Sequence, residues 1–300
     1  MDGPPTWRVA HGRSLALNRA RAMGVLNVTP DSFSDGGAHD DPDRAASRAH
    51  EMVEEGASII DVGGESTRPG AARVPEEAQL ARTIPVIERL VGAGVEALIS
   101  IDTTRSAVAR EALRAGAHIV NDVSSGEDDA GMLALASETG AGVVLMHRLV
   151  PPGRDSFSHS YETDPVYEGG VVASVGEYLR RRASAALEAG VVRESIVLDP
   201  GLGFGKSVAQ NYELIAGSGA LLDPGYPLLG AASRKSFIGK ATGQSIASAR
   251  VEGSVAVSVA QYLSGVRLFR VHDVGAQVRA LAVASSIEGA QRSGETVRGV

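Results

Sequence analysis

The chain contains no cysteine. Disulfides, thiolate nucleophiles and cysteine-based metal sites are therefore excluded. No apolar run approaches the roughly 20 residues needed for a membrane-spanning helix, so no membrane association is expected. Positive charge is also short. The net charge is −7 at pH 7, which disfavours a general nucleic-acid binder. Only three of the 29 basic residues are lysines: Lys206, Lys235 and Lys240. An anionic ligand would have to be met by cations gathered locally. No Gly-rich Walker loop is present, which makes ATP a weaker candidate. The N-terminus, Met1-Asp-Gly-Pro-Pro-Thr6, lacks a basic segment followed by an apolar one. A secretory signal is not expected, and a cytoplasmic location is the default.

The remaining composition is that of an ordinary globular protein. With 300 residues and 43% hydrophobic content, the chain has room for one large domain or two small ones. Residues 7–19 alternate around His11-Gly12 and predict a short hairpin, placed to close the bottom of the main fold. Strand-like apolar runs then recur at 22–28, 58–63, 97–103, 118–123, 142–147, 195–199, 227–233 and 268–274. Between them, 43–55, 76–90, 106–115, 130–138, 172–189 and 251–263 carry helical spacing. Gly56, Gly116 and Gly190 stand where helices commonly stop.

Eight strands alternating with helices predict an α/β fold, a (β/α)8 TIM barrel behind a short N-terminal β-hairpin. An open doubly wound sheet is the rival, but the Gly-rich turn expected after its first strand is missing. The reading divides the chain into an N-terminal extension (1–20), a single barrel (21–287) and a flexible tail (288–300). The one long irregular stretch, 148–170, follows the fifth strand and is of a length often tied to function.

Barrel active sites form at the C-terminal ends of the strands. Here every strand delivers polar residues at that end. They are Asn27; Asp61 with Glu65, Thr67 and Arg68; Asp102; Asn121 and Asp122; His147; Asp199 and Lys206; Ser233, Arg234 and Lys235; and Arg270, His272 and Asp273. Each has a plainer reading alone. Asp102 could simply cap the helix starting near Ser106. Asp61, inside Ile-Ile-Asp-Val, reads as a carboxylate that either supports the site residues from behind or satisfies the core. His147 fits a core histidine and a ligand contact equally well. The coincidence of eight strand ends outweighs these separate readings. Asp102, Asn121 and Asp199 suit a flat heterocycle presenting N–H and NH2 donors, such as a pterin or purine edge. Lys235, Arg270 and His272 come from the last two strands, where barrels commonly bind phosphate.

Several motifs resemble those of the dihydropteroate synthase family, pterin-binding TIM barrels. The longest are Met23-Gly-Val-Leu-Asn-Val-Thr-Pro-Asp-Ser-Phe-Ser-Asp-Gly-Gly37 and Asp61-Val-Gly-Gly-Glu-Ser-Thr-Arg-Pro-Gly70. Ser100-Ile-Asp-Thr103, Asn121-Asp-Val-Ser124, Leu198-Asp-Pro-Gly-Leu-Gly-Phe204, Ser233-Arg-Lys235 and Arg270-Val-His-Asp273 follow in the family's order. The resemblance covers residues from about 7 to 287.

It implies a transferase of folate biosynthesis that joins 6-hydroxymethyl-7,8-dihydropterin diphosphate to p-aminobenzoate and releases diphosphate. It implies Mg2+ as cofactor, contacted by Asn27. Asp102, Asn121, Asp199, Phe204 and Lys235 would contact the pterin, and Thr67, Arg270 and His272 the diphosphate. Ser233 would meet the aminobenzoate carboxylate. Arg68 and Lys235 would join Asp35 in the chemistry, with Asp31 the alternative to Asp35. Loops 29–37 and 66–73 would close over the site. The resemblance further implies a homodimer, with 251–263 as the candidate face. Two departures stand out: Arg148-Leu-Val-Pro-Pro-Gly-Arg-Asp-Ser-Phe157 replaces a short Met/Arg/Gly loop, and Ser124-Ser-Gly126 the commoner Ser-Gly-Gly. Two other functions fit a pterin-binding barrel: a methyltransferase domain serving a corrinoid, and a silent paralogue that binds pterin without turnover.

Overall fold

The computed structural model describes residues 5–29 and 42–298. Strand β1 (Thr6–Arg8) pairs antiparallel with β2 (Ser14–Ala16), the predicted hairpin. Eight parallel strands follow: β3 (Arg21–Asn27), β4 (Ala57–Gly63), β5 (Leu98–Asp102), β6 (Ile119–Asp122), β7 (Gly142–Met146), β8 (Ile196–Asp199), β9 (Leu229–Gly230) and β10 (Leu268–Val271). Their hydrogen-bonded order is β8-β7-β6-β5-β4-β3-β10-β9. A parallel bridge between Leu198 and Leu228 then joins the two ends. The Leu198 amide also donates to the Pro227 carbonyl at 2.9 Å. The sheet thus comes round as a (β/α)8 barrel, as the alternation predicts.

The helices surround it: α1 (Pro42–Glu54), α2 (Glu76–Gly92), α3 (Ser106–Arg114), α4 (Gly131–Thr139), α5 (Val171–Glu188), α6 (Val208–Ala216), α7 (Ser218–Leu222), α8 (Ser236–Thr242), α9 (Val251–Leu263) and α10 (Val274–Arg298). The longer helices bury one side. In α2 the buried residues are Gln79, Thr83, Val86, Ile87 and Leu90, one face of a 3.6-residue repeat. Helix α6 starts with a capping box, Ser207 and Gln210. Helix α10 continues through Arg298, so most of the stretch expected to be a flexible tail is helical. Glu288 within it accepts from Tyr262 and pairs with Arg267 at 2.7 Å.

Side chains alternate across a strand, so one parity of each strand faces the barrel axis. At the lower end that parity supplies Met23, Ile59, Leu98, Ile119, Val144, Val197, Leu229 and Leu268, one residue per strand. Trp7, Val9 and Leu17 of the hairpin region close this layer from below. Trp7 is fully buried, and its indole N–H donates to the Ser195 carbonyl at 2.9 Å. Two residues further along five of the strands, the same parity turns polar: Ile59 leads to Asp61, Leu98 to Ser100 and Asp102, Ile119 to Asn121, Val197 to Asp199, and Leu268 to Arg270 and His272. The sequence thus builds an apolar plug beneath a polar chamber.

Candidate active site

The chamber is organised around Asp61 on β4. It is fully buried, and its Oδ2 accepts from Asn121 Nδ2 at 3.0 Å and from Arg270 Nε at 2.6 Å. Arg270 reaches on to Asp102 with Nη2 at 2.7 Å. One guanidinium is therefore held between two carboxylates, a charge-assisted arrangement. These partners keep Arg270 ionised against the cost of burial. Burial pushes Asp102 up to about 7, the Arg270 charge opposes the rise, and Asp61 adds to it. Asp102 does not cap the helix at Ser106. That amide bonds instead to Asp129 Oδ2 at 2.7 Å, which leaves the Asp102 carboxylate to the chamber.

The opposite wall is the turn after β8. Asp199 Oδ1 accepts from the Gly201 amide at 2.6 Å, and burial raises its pKa. Gly201 has φ +65, and a Cβ there would lie 1.8 Å from the His147 carbonyl oxygen, so only glycine fits. Lys235 Nζ donates to the Leu202 carbonyl at 2.6 Å and lies 4.0 Å from the centre of the Phe204 ring. Burial lowers Lys235 to about 8, opposed by the Asp199 charge. Phe204 joins Val123 and Met146 in an apolar cluster separate from the two main cores. That cluster gives a flat ring an apolar wall beside acceptors from Asp102, Asn121 and Asp199.

A third group lies at the ends of β9 and β10. Ser233 Oγ accepts from the His272 amide at 3.1 Å and lies 3.0 Å from His272 Nδ1. Burial and the charges of Arg270 and Arg234 push His272 down to about 3. The ring is neutral at neutral pH. With the Ser233 hydroxyl donating to Nδ1, the ring hydrogen resides on Nε2, where it can meet an anion. Arg234 has φ +61 and pairs with Asp273 through two guanidinium nitrogens. On the neighbouring strands β3 and β4, a Cβ on Gly63 would lie 3.6 Å from both Asn27 Oδ1 and Asp102 Cβ. The bare glycine thus leaves the space between those two side chains open.

The structure brings Asp102, Asn121 and Arg270 together through Asp61, Asp199 and Phe204 together around Lys235, and Ser233 onto His272. Thr67 borders a cavity of about 20 Å3 shared with Asp102, Val123 and Arg148. Arg68 is exposed, and its charge reaches His272. Loop 66–73 is tethered: the Gly70 amide donates to Pro152 O at 2.9 Å, and Arg73 pairs with Asp128 at 3.0 Å. Asp128 also binds Arg148 from the departing 148–157 segment. Asp31 and Asp35 lie outside the described residues. His147 is not a chamber residue. It is buried edge-on to Tyr178 with a ring-centre separation of 4.9 Å, and its Nδ1 meets Lys206. Asp61 is the hub, and of its two sequence readings the bonds to Asn121 and Arg270 favour the supporting one. Its parity with Ile59 was the available signal.

Comparison with known proteins agrees with this fold. The family profile described as pterin binding enzyme matches residues 23–272. The Escherichia coli K12 dihydropteroate synthase is 43% identical over 274 residues, which is 91% of this chain and 94% of that protein. The Mycobacterium leprae dihydropteroate synthase is 44% identical over 275 residues, 90% of this chain and 94% of its own length. A Xanthomonas albilineans dihydropteroate synthase structure with 4-aminobenzoic acid superposes with a TM-score of 0.86 at 43% identity, covering 95% of this chain and 99% of that one. The same organism's enzyme in complex with 7,8-dihydropteroate gives 0.82 at 40% identity, covering 94% and 98%. Among the described residues, no helix is long and apolar enough to cross a membrane. The chain belongs to the dihydropteroate synthase family of pterin-binding enzymes.

Proposed function

We propose that the chain condenses 6-hydroxymethyl-7,8-dihydropterin diphosphate with p-aminobenzoate to give 7,8-dihydropteroate and diphosphate. The observation that carries this reading is the division of one chamber into two chemical halves. Asp102, Asn121 and Asp199 supply acceptors for a donor-rich ring beside Phe204 and Lys235. Arg270, His272 and Thr67 supply donors for a diphosphate, and Ser233 stands where a carboxylate can be met. The relatives solved with 4-aminobenzoic acid and with 7,8-dihydropteroate support these ligands for this chain.

Bond breaking comes first in this mechanism. The C–O bond to diphosphate breaks while Arg270 and His272 spread the leaving charge. The positive charge on the methylene is shared with the pterin ring. The aminobenzoate nitrogen then forms the C–N bond and loses its proton to solvent. Arg68 and Lys235 act beside the reacting atoms as fixed cations. Asp35 is assigned to stabilising the cationic carbon and amine, on the family resemblance alone. Loss of one such electrostatic contact costs about 10²-fold in rate. Exchange of labelled diphosphate into substrate without aminobenzoate tests this. If Asp35→Ala leaves both exchange and turnover unchanged, the assignment fails.

Mg2+ is proposed to arrive with the diphosphate. Among the described residues no three His, Asp or Glu side chains converge to hold a metal. Asn27, with one neutral amide oxygen at the rim, fits an ion held mainly by substrate phosphates. When bound, the ion neutralises the leaving diphosphate. A homodimer through α9 is part of the same reading. Ala256, Ala260 and Leu263 lie exposed on that helix, a small-residue apolar face suited to a second copy. Light scattering of wild type and Ala260→Arg tests it, the variant running as a monomer if the face is right. A cytoplasmic location belongs to the same proposal.

Supplying dihydropterin diphosphate, radiolabelled p-aminobenzoate and Mg2+ tests the activity directly. Label recovered in dihydropteroate supports the reading. Tight pterin binding without product, or methyl transfer to a corrinoid, refutes it.

A further inference from the structure

Lys206 is fully buried beneath the chamber, although none of the chemistry above uses it. Its Nζ lies 2.9 Å from the Gly201 carbonyl, 2.8 Å from the Phe204 carbonyl and 2.9 Å from His147 Nδ1. The three N–H groups of an ammonium meet these acceptors, and the His147 carbonyl oxygen lies at 3.4 Å from the same Nζ. A neutral amine has two N–H groups for the carbonyls and keeps the third contact only if His147 changes tautomer and donates from Nδ1 to its lone pair. Beside the ammonium, His147 completes the set only as a neutral ring accepting at Nδ1. Burial and the Lys206 charge keep it so, with a pKa down at about 2.

The two carbonyls that Lys206 gathers belong to the turn that carries the pterin-facing groups. Gly201, Gly203 and Gly205 all have positive φ, so the peptide units between them are free to face alternate sides. Those of Gly201 and Phe204 point down to Lys206. The Leu202 carbonyl between them points to Lys235 at 2.6 Å, and the Phe204 ring lies beneath the same ammonium. The far side is braced as well. The Gly205 amide donates to Asp155 Oδ2 at 2.9 Å, and Tyr167 Oη donates to the Gly205 carbonyl at 2.7 Å.

We propose that Lys206 is a positioning residue: its buried ammonium folds the Gly201–Phe204 turn around itself and thereby aims Lys235 and Phe204 at the pterin. This rests on the reading of Lys235 as a pterin contact. The assignment goes further in that the protonation of a group remote from substrate sets pterin affinity. The charged and titratable groups facing Lys206 are His147 at the end of β7, Asp199 at the end of β8, Lys235 before α8, and Asp155 and Tyr167 from the 148–170 segment. Tyr178 on α5 stands behind His147. Burial lowers Lys206 to about 7, opposed by the Asp199 charge, so its ionisation falls within an accessible range.

Lys206→Met keeps length and bulk and removes the three donors. We expect the KM for dihydropterin diphosphate to rise about tenfold or more, as sub-ångström misplacement at a site can do, with the KM for p-aminobenzoate little changed. A Lys206→Met protein with wild-type melting temperature and wild-type pterin KM overturns the proposal. Should that variant fail to fold, the wild type decides. The chain has only three lysines, so their 13Cε NMR signals can be resolved and titrated, with Lys240 as an exposed reference. Pterin affinity that falls with the Lys206 midpoint, together with a shifted Lys235 signal, supports the proposal. Affinity that stays level through that midpoint overturns it. Wild-type protein that binds no dihydropterin diphosphate refutes the functional reading instead, and the two failures are distinct.

Discussion

Replacing Asp61 by alanine removes the acceptor shared by Arg270 and Asn121. The carboxylate is fully buried, and the Arg270 side chain is only 18% exposed, so water cannot readily take its place. Arg270 keeps Asp102, but its Nε loses a 2.6 Å partner and Asn121 Nδ2 loses one at 3.0 Å. Removing one partner from a buried ion pair costs about 3–5 kcal/mol. In a chain of this size each kcal/mol moves the melting point by about 2–4 °C, which places the variant roughly 10 °C below wild type. Asp61→Asn provides the control. Its amide oxygen can still accept both bonds, so the loss falls to about 1–2 kcal/mol, the difference between charged and neutral hydrogen bonding. Asp61 also repels charge on Asp102, so both variants should lower the Asp102 pKa and shift any pH limb it controls towards acid. Differential scanning calorimetry and the pH profile of pterin binding read these effects. If Asp61→Ala melts within about 2 °C of wild type and binds pterin diphosphate unchanged, the chamber is not organised around this carboxylate.

Other perturbations test other parts. Trp7→Ala opens the barrel floor and should cost about 3–5 kcal/mol, read by calorimetry, while pterin affinity at the opposite end stays near wild type. Ser233→Ala removes the partner that fixes the His272 tautomer, and titration with inorganic diphosphate should show roughly tenfold weaker binding. Burial of neutral histidines sets the acid limit of stability. His147 and His272 are held down at about 2 and about 3 from 6.5. A lowered folded pKa means stability is complete above 6.5 and is lost as pH falls towards those values. At pH 5 each ring costs about 2 kcal/mol, so thermal melts from pH 7 to 5 should fall steeply, and less steeply in His147→Gln.

Much of the barrel is legible because parallel strands are buried on both faces and read as apolar runs between turn residues. All eight strands fall within a few residues of their sequence positions. Pro227–Ser233 is the exception in length: only Leu229 and Gly230 form the strand paired with β10, and Leu228 adds a single bridge to Leu198. Helices α6, α7, α8 and α10 are not among the segments that helical spacing predicts. Helix α6 carries a Ser207–Gln210 capping box that could have revealed it, whereas α7 and α8 span only five and seven residues.

The site was legible to the extent that polar residues gather at the C-terminal ends of the strands, with an apolar-then-polar order at period 2 on β4, β5, β6, β8 and β10. Asp61 shows the limit. Its neighbours Ile60 and Val62 make it look like a core residue, and it is buried, yet its bonds run to Arg270 and Asn121 from distant strands. Lys206 and the Arg73–Asp128–Arg148 tie are likewise products of tertiary packing, with no local pattern to announce them.

Diphosphate release by the wild-type chain under single turnover tests the central claim most directly. With dihydropterin diphosphate bound and Mg2+ present, addition of p-aminobenzoate should release one diphosphate for each dihydropteroate formed. Arg270→Ala should slow that release by about 10²-fold or more. Release that ignores p-aminobenzoate, or bound pterin diphosphate that persists intact in its presence, would contradict the account.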